Sequence, residues 1–190
     1  MDLDLLLQRC RERDELAWEA LVRQFQSRVY GIACHYLGSA EDARDLAQDV
    51  FIRIYNNLNS CPNAQVFLPW VIRITRNASV DHIRRAKVRP PASDIPAEVA
   101  HSLAAQGVNP EEQCALNSRR KLIHRALQQL SALNREVILL KEIQGLALEQ
   151  IASLLEVPLG TIKSRSNRAR LELAEKVLAL ERGGAAGGVS

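Results

Sequence analysis

Two stretches of helical apolar spacing meet at residues 157–160, Val-Pro-Leu-Gly, and this break constrains the fold more than any other segment. Before it, Ile151, Leu154 and Leu155 recur on one side, and Ala152 is small enough for a second helix to cross closely. Proline lacks the amide donor of a helix interior and glycine accepts the dihedrals of a turn. The break therefore ends one helix and predicts another starting near Thr161. On that second helix Ile162, Ala169 and Leu173, at offsets of seven and then four, make an inward side. Lys163, Arg165, Arg168 and Arg170 project elsewhere, with Ser164 and Asn167 among them. Residues 148–173 thus predict a helix-turn-helix. Its cations can neutralise phosphates, and Ser, Asn and Arg can hydrogen-bond base edges in a major groove wide enough for one helix. Charge alone would equally allow an amphipathic hairpin with a solvated basic side. The break followed directly by a basic helix favours DNA.

Strand-like alternation is nearly absent elsewhere, and glycine and proline are sparse within the periodic segments, so the fold class expected is all-α. A length of 190 residues, with 47% hydrophobic and 25% charged residues, suits one or two small globular domains. No apolar run approaches the about 20 residues needed to span a bilayer, and the amino terminus carries acids and bases where a signal peptide needs an apolar core. A cytoplasmic protein without membrane insertion is expected. The net charge of +3 is weak support for nucleic acid, but the distribution is informative. Acids gather at Glu41, Asp42, Asp45 and Asp49, and bases gather after Arg73 and again after Lys163. Cys10, Cys34, Cys61 and Cys114 lie far apart without ligand spacing, which favours buried or free thiols over zinc or disulfides. No metal and no cofactor are expected.

In chain order, Leu3 to Arg13 and Glu15 to Leu37 read as helices, the second turning Leu16, Ala20, Leu21, Phe25, Val29 and Ile32 to a core. Gly38-Ser39 stops it, and Ser39 caps a helix over Ala40 to Leu58 with acids in its first turn. On that helix Ala43, Leu46, Ala47, Val50, Phe51, Ile54 and Leu58 form one face. Asp42, Asp45, Gln48, Asp49 and Arg53 stay outside, as an ordinary solvated surface would require. A polar loop over Asn56 to Asn63 precedes a helix through Val66, Phe67, Trp70, Ile74 and Ile83. That helix bears Arg73, Arg76, Arg84, Arg85, Lys87 and Arg89 against Asp81. Aromatics and bases on one element suit single-stranded nucleic acid, although Trp70 shares the side of Phe67 and Ile74 and reads as core. Pro69 either kinks this helix or sits in its first turn, depending on where the helix begins. The domains expected are 1–89, a linker over 90–110, a second domain over 111–182 and a disordered glycine-rich tail over 183–190.

Three separated stretches, EDARDLAQDVFIRIYNNL, WVIRITRNASVDHIRR and EVILLKEIQGLALEQIASLLEVPLGTIKSRSNRARLEL, resemble in order and spacing the bacterial extracytoplasmic-function sigma factors. The string RPPASD is similar to the envelope-stress branch of that family. The resemblance implies a non-enzymatic subunit that binds core RNA polymerase and directs it to promoter DNA. It implies docking of the Ala40 to Leu58 helix on the clamp coiled coil of the largest polymerase subunit through Asp45, Gln48, Asp49 and Arg53. It also implies a pocket for a flipped base of the melted element, formed by the loop with Asn59, Ser60 and Asn63 together with Ile74 and Asn77. Arg73, Arg76, Arg84 and Arg85 would hold phosphates of the opened strand. For the upstream element, Lys163, Ser164, Asn167 and Arg168 match base-reading positions, while Arg165 and Arg170 match phosphate contacts. An anti-sigma factor is implied as a further partner, which could hold the protein at the inner membrane. The chain departs from the family pattern at Ser166, where a branched apolar residue is usual, at Pro69, and in a loop without aromatic or basic residues. A dimeric helix-turn-helix regulator acting without polymerase is the competing reading, and it leaves the acidic face and the basic-aromatic helix unused.

Overall fold

The computed structural model describes residues 2–88, 119 and 121–185, and among these it is helical without strands. The chain divides into two units, Met1–His101 and Ser102–Ser190. The expected linker over 90–110, the domain start at Glu111, Arg89 and Cys114 lie outside the described residues.

The first unit packs α1 (Leu3–Arg11), α2 (Glu15–Leu37), α3 (Ala40–Asn57) and α4 (Ala64–Val88) around one core. Asp14 starts α2 by accepting the amides of Leu16 and Ala17 (3.0 and 3.2 Å), and those bonds hold its carboxyl below the usual range together with the Arg9 guanidinium. Gly38, left-handed at φ 73°, ends α2, and the Ser39 hydroxyl accepts from the Asp42 amide to start α3. The inward side of α2 runs through Ala17, Leu21, Phe25, Val29 and Ile32, all buried. Leu16, expected in that set, is 73% exposed, because it stands one residue, about 100°, off the side defined by Ala17, Leu21 and Phe25. Phe25 meets Phe67 of α4 edge to face at 5.0 Å, joining α2 to α4.

Several expected boundaries shift. Helix α1 ends at Arg11, with Arg13 in a left-handed turn (φ 63°). Asn56 and Asn57 are helical, and a 3-10 turn over Leu58–Ser60 replaces the first part of the expected loop. Pro69 lies inside α4, which starts at Ala64 because the Asn63 carboxamide accepts the Val66 amide at 3.2 Å. The missing proline amide orphans the carbonyl of Gln65, an exposed residue of the first turn. Deeper in α4 the buried Thr75 and Ser79 hydroxyls donate to the carbonyls of Val71 and Thr75, both at 2.8 Å, so this apolar side carries no unsatisfied hydroxyl.

The second unit comprises a helix over residues 121–128 (α5), α6 (Ala132–Ile138) continuing as a π turn over Leu139–Ile143, α7 (Leu148–Leu155) and α8 (Leu159–Ala185). Arg135 gathers the carbonyls left open at the end of α5, donating to Leu127, Gln128 and Leu130 at 2.9, 2.9 and 3.1 Å. Leu130, Ile138 and Ala169 are buried together, and Asn134 donates to Glu172 at 2.7 Å, which ties α6 to α8. The π turn adds a residue per turn and so rotates the later side chains about the axis. Leu139 and Leu140 are buried, whereas Ile143 is 57% exposed.

The break between α7 and α8 differs from the sequence expectation. The left-handed residue is Glu156 (φ 56°), and Val157 donates to the Ala152 carbonyl at 3.0 Å. Pro158 precedes α8, its carbonyl accepting from Thr161 and Ile162 (2.9 and 3.2 Å). Helix α8 therefore begins at Leu159 rather than near Thr161, and Gly160 belongs to its first turn, with open space where a Cβ would point. At the other end α8 runs through Ala185, taking in Arg182 and the first residues of the expected tail.

Burial raises the pKa of the Cys10, Cys34 and Cys61 thiols, which keeps them protonated and poorly nucleophilic at neutral pH. Alkylation at pH 7 followed by peptide mass mapping is expected to label these three at least about tenfold more slowly than in denaturant, because burial both raises the thiol pKa and shields the sulfur. Thermal unfolding of glycine variants tests the break. Gly160→Ala is expected to stabilise its unit by about 0.5–1 kcal/mol, since the helical backbone suits alanine. Gly145→Ala, at φ 75°, is expected to destabilise by about 1–2 kcal/mol. A loss at Gly160 would return the turn to that glycine.

Candidate interaction surfaces

Helix α3 carries the first surface. Ala43, Leu46, Val50 and Ile54 are buried at helical spacing, so the opposite side must face out. Asp45, Gln48 and Asp49 are exposed there and Arg53 is half-buried, its carbonyl accepting from the Asn57 side chain at 2.8 Å. Neither Asp45 nor Asp49 has an ion-pair partner among the described residues. The same stripe continues into apolar side chains, Ile52 at 59% and Tyr55 at 44% exposure. Trp18 of α2 stands edge-on to Phe51 and Tyr55, at 6.5 and 5.0 Å between ring centres. These residues line a shallow groove closed by Arg13, Asp14 and Glu15. The sequence reading missed the apolar half of this surface. A single Ile or Tyr among polar residues is ordinary on a helix surface, and the available sign was their place on the outward stripe at 45, 48, 49, 52 and 55.

The second surface lies on α4 and the turn before it. Trp70, Arg73, Ile74, Asn77 and Arg84 recur at offsets of three, four, seven and fourteen, which is one helical stripe with Arg85 at its edge. Arg73, Asn77, Arg84 and Arg85 are exposed and Ile74 is half-buried. Trp70 is half-buried against Phe67, with ring centres 5.9 Å apart, so its packing role holds while one side reaches the stripe. Arg76 points about 120° away from the stripe, is half-buried, and is engaged within the fold. In the turn, Asn59 and Ser60 are exposed, the Ser60 hydroxyl donating to the Asn57 carbonyl at 2.7 Å. The oxygen of the Asn63 side chain is committed to its capping bond. At about 1.5 Å of rise per residue, Ile74 and Asn77 stand about 16 and 21 Å along α4 from Asn63. The turn and the stripe thus share an element and lie at different heights on it.

The third surface is the outer side of α8. Ile162, Ser166 and Ala169 are buried, placing Ser166 on the inward side at the position where the sequence departs from the apolar norm. Lys163, Ser164, Asn167 and Arg168 share the exposed side, with Arg165, half-buried, and Arg170, exposed, flanking it on opposite edges. Local bonds separate these residues into two kinds. Ser164 donates to the Thr161 carbonyl at 3.0 Å, and the Asn167 carboxamide oxygen accepts from Arg170 at 2.6 Å. Arg170 also stands 4.0 Å from the Glu142 carboxylate. Among the described residues Lys163, Arg165 and Arg168 find no hydrogen-bond or ion-pair partner, and of these Lys163 and Arg168 are exposed while Arg165 is half-buried.

Comparison with known proteins gives the family of the chain. The Sigma-70 region 2 family model matches residues 21–89, and the Sigma-70 region 4 model matches residues 120–173. The RNA polymerase sigma-H factor of Pseudomonas aeruginosa is 32% identical over 178 residues, covering 91% of this chain and 92% of that protein. The ECF RNA polymerase sigma-E factor of Escherichia coli is 32% identical over 183 residues, covering 94% and 95%. Among solved structures, CnrH in complex with the cytosolic domain of CnrY is similar at a TM-score of 0.62 and 23% identity, covering 94% of this chain and 99% of that one. RpoE of Bartonella quintana, in complex with the anti-sigma factor NepR, is similar at a TM-score of 0.60 and 23% identity, covering 84% and 95%. The structural likeness supports the all-α fold of two helical units, and the sequence matches carry the family. The chain therefore belongs to the extracytoplasmic-function sigma factors of the sigma-70 family, alternative sigma factors that direct transcription initiation and are not enzymes.

Proposed function

We propose that this sigma factor binds core RNA polymerase through α3 and places α4 on melted promoter DNA and α8 on the upstream duplex element. The observation that carries the reading is the pairing, on one small unit, of an unpaired acidic stripe on α3 with a cationic stripe on α4. Asp45 and Asp49 favour a basic partner surface, and Ile52 and Tyr55 supply apolar area beside them, as a polymerase clamp coiled coil of mixed character would need. Gln48 and Arg53 add hydrogen-bonding capacity at its edge.

On α4, Arg73, Arg84 and Arg85 track phosphates while the turn with Asn59, Ser60 and Asn63 selects a base that has left the stack. Ile74 and Asn77 then meet the strand further along the helix, with Trp70 offering a ring edge. This arrangement is a track about 20 Å long rather than one pocket. Arg76 supports the helix from the side.

On α8, Lys163 and Arg168 read bases, since they are uncommitted and stand on the exposed side, whereas Arg165 and Arg170, at its two edges, take phosphates. Arg170 also holds the Asn167 carboxamide in one orientation, and Ser164 retains an acceptor lone pair for the groove. An anti-sigma factor is proposed as the regulatory partner, supported by the presence of an anti-sigma factor on a structurally similar protein. Among the described residues no helix is long and apolar enough to cross a membrane, so we place the free protein in the cytoplasm and assign any membrane attachment to the partner.

Transcription by reconstituted holoenzyme on a panel of single-base upstream-element variants tests the division of labour on α8. Arg168→Ala is expected to lose about 1–3 kcal/mol on the preferred element and to stop discriminating at one base pair. Arg165→Ala is expected to weaken all variants alike and to lower the salt dependence of binding by about one ion. Equal weakening of every variant by Arg168→Ala would remove its base-reading role.

A further inference from the structure

We propose that α1, which precedes the residues matched by the region 2 family model, is a strap that holds the base-selecting turn in shape, with Arg11 and Asp4 as its positioning residues. The proposal rests on the reading of residues 59–63 as the contact to a flipped base.

Two hydrogen bonds that join distant parts of the first unit both run from α1 to this turn. The Arg11 guanidinium donates to the Cys61 carbonyl at 2.5 Å, across 50 positions of sequence. The Asp4 carboxylate accepts from the Ala64 amide at 3.0 Å, across 60 positions. One bond grips the turn just after Asn59 and Ser60, and the other grips the first residue of α4, so Pro62 and Asn63 are held between two fixed points. Both bonds involve a charged group, which makes them stronger and more directional than neutral ones.

The strap is itself well anchored. Leu6, Leu7 and Cys10 of α1 are buried in the core, and Arg9 donates to Asp14 at 2.8 Å, the residue that caps α2. Beneath the turn, Leu58 and Cys61 are 4% and 0% exposed, and the Cys61 amide closes on the Leu58 carbonyl at 3.1 Å. The inner side of the turn is thus pinned by packing and its two ends by α1, while the polar side chains of Asn59 and Ser60 point out.

Selection among bases depends on such fixation. An amide group held in one orientation rejects a base whose donors and acceptors do not match, whereas a loose turn adapts to all four and loses the difference between them. The strap should therefore act on discrimination more than on total affinity. A residue that merely stabilised the fold would instead lower every activity of the unit together.

The test uses the full chain assembled with core RNA polymerase and a fork-junction DNA whose unpaired non-template segment carries each of the four bases at each position. Binding is measured for the native chain and for Arg11→Ala, Arg11→Lys, Asp4→Ala and Asn59→Ala, with core binding and upstream-duplex binding recorded in parallel. The native chain is expected to prefer one base at one position. Arg11→Ala and Asp4→Ala are expected to reduce that preference by about fivefold with core and duplex binding unchanged, roughly what loss of part of a base contact gives. Arg11→Lys, which keeps a donor, should fall between. If the native chain and Asn59→Ala discriminate while both strap variants match the native preference ratio, the strap is overturned and the base-selecting turn loses Asn59 alone. If Asn59→Ala abolishes the preference and the strap variants leave it intact, the turn stands and the strap falls. If the native chain shows no preference at any position, the reading of the turn fails and takes the strap with it. Uniform weakening on all DNAs, or loss of core binding, would assign Arg11 to general stability and overturn its positioning role. Should Arg11→Ala not fold, Arg11→Lys and Asp4→Ala decide the same question from the two ends of the turn.

Discussion

Burial of Ala43, Leu46, Val50 and Ile54 sets the rotation of α3 about its axis, and the acidic surface of the first unit derives from that one seam. Burying an aliphatic side chain of this size is worth about 1.5–3 kcal/mol. Turning α3 by one residue, about 100°, would expose part of this set and place charged residues against α2 and α4. The acids at 45 and 49 are therefore held outward without bonds of their own. The same logic governs α8, where Ile162, Ser166 and Ala169 face in. Two of these three side chains are small, so α8 sits close to its neighbours and orientation depends on close approach more than on bulk. The buried Ser166 makes that seam less apolar than the one on α3.

Local chemistry then determines where each helix starts and stops. Asp14, Ser39, Asn63 and Ser131 each offer a side-chain oxygen to a first-turn amide, and Arg135 closes the open carbonyls at the end of α5. These devices are short-range. They leave the first-turn amides satisfied, while which side of each helix turns inward is set by the spacing of its apolar residues, as the exposed Leu16 beside the buried Ala17 shows. Charge obeys the same plan, with acids unpaired on one face of a unit and cations unpaired on another, an arrangement that costs little in water and gains when each face meets its complement.

Much of this was legible in the residues. The bounds of α2, the start of α3 and the inward residues of α8 come from caps, a glycine stop and helical spacing, which are local signals. Cysteine spacing likewise pointed to the buried, unpaired thiols of Cys10, Cys34 and Cys61. The features that escaped depend on contacts between distant residues or on an unusual residue choice. Glutamate is an uncommon occupant of a left-handed position, so Glu156 yielded to the more obvious Gly160 as the predicted turn. Pro69 could be placed only once the Asn63 cap was known to start α4 upstream of it. Ile52 and Tyr55 lie off the buried seam, among the polar positions 45, 48 and 49, where an isolated apolar residue is an ordinary surface feature. The ties from Arg11 and Asp4 to the turn span too much sequence for any motif to announce them.

The proposed mode of action depends most on α3 being the surface through which this sigma factor joins polymerase. The direct measurement is the dissociation constant of the full chain for bacterial core RNA polymerase, taken beside Asp45→Arg/Asp49→Arg and Ile52→Asp variants whose folding is confirmed by thermal unfolding. Tight binding by the native chain is expected, with each variant weaker by about 2 kcal/mol or more, as for residues central to an interface. Native affinity in both variants would contradict the assignment of α3, and failure of the native chain to bind core would contradict the proposed mode of action altogether.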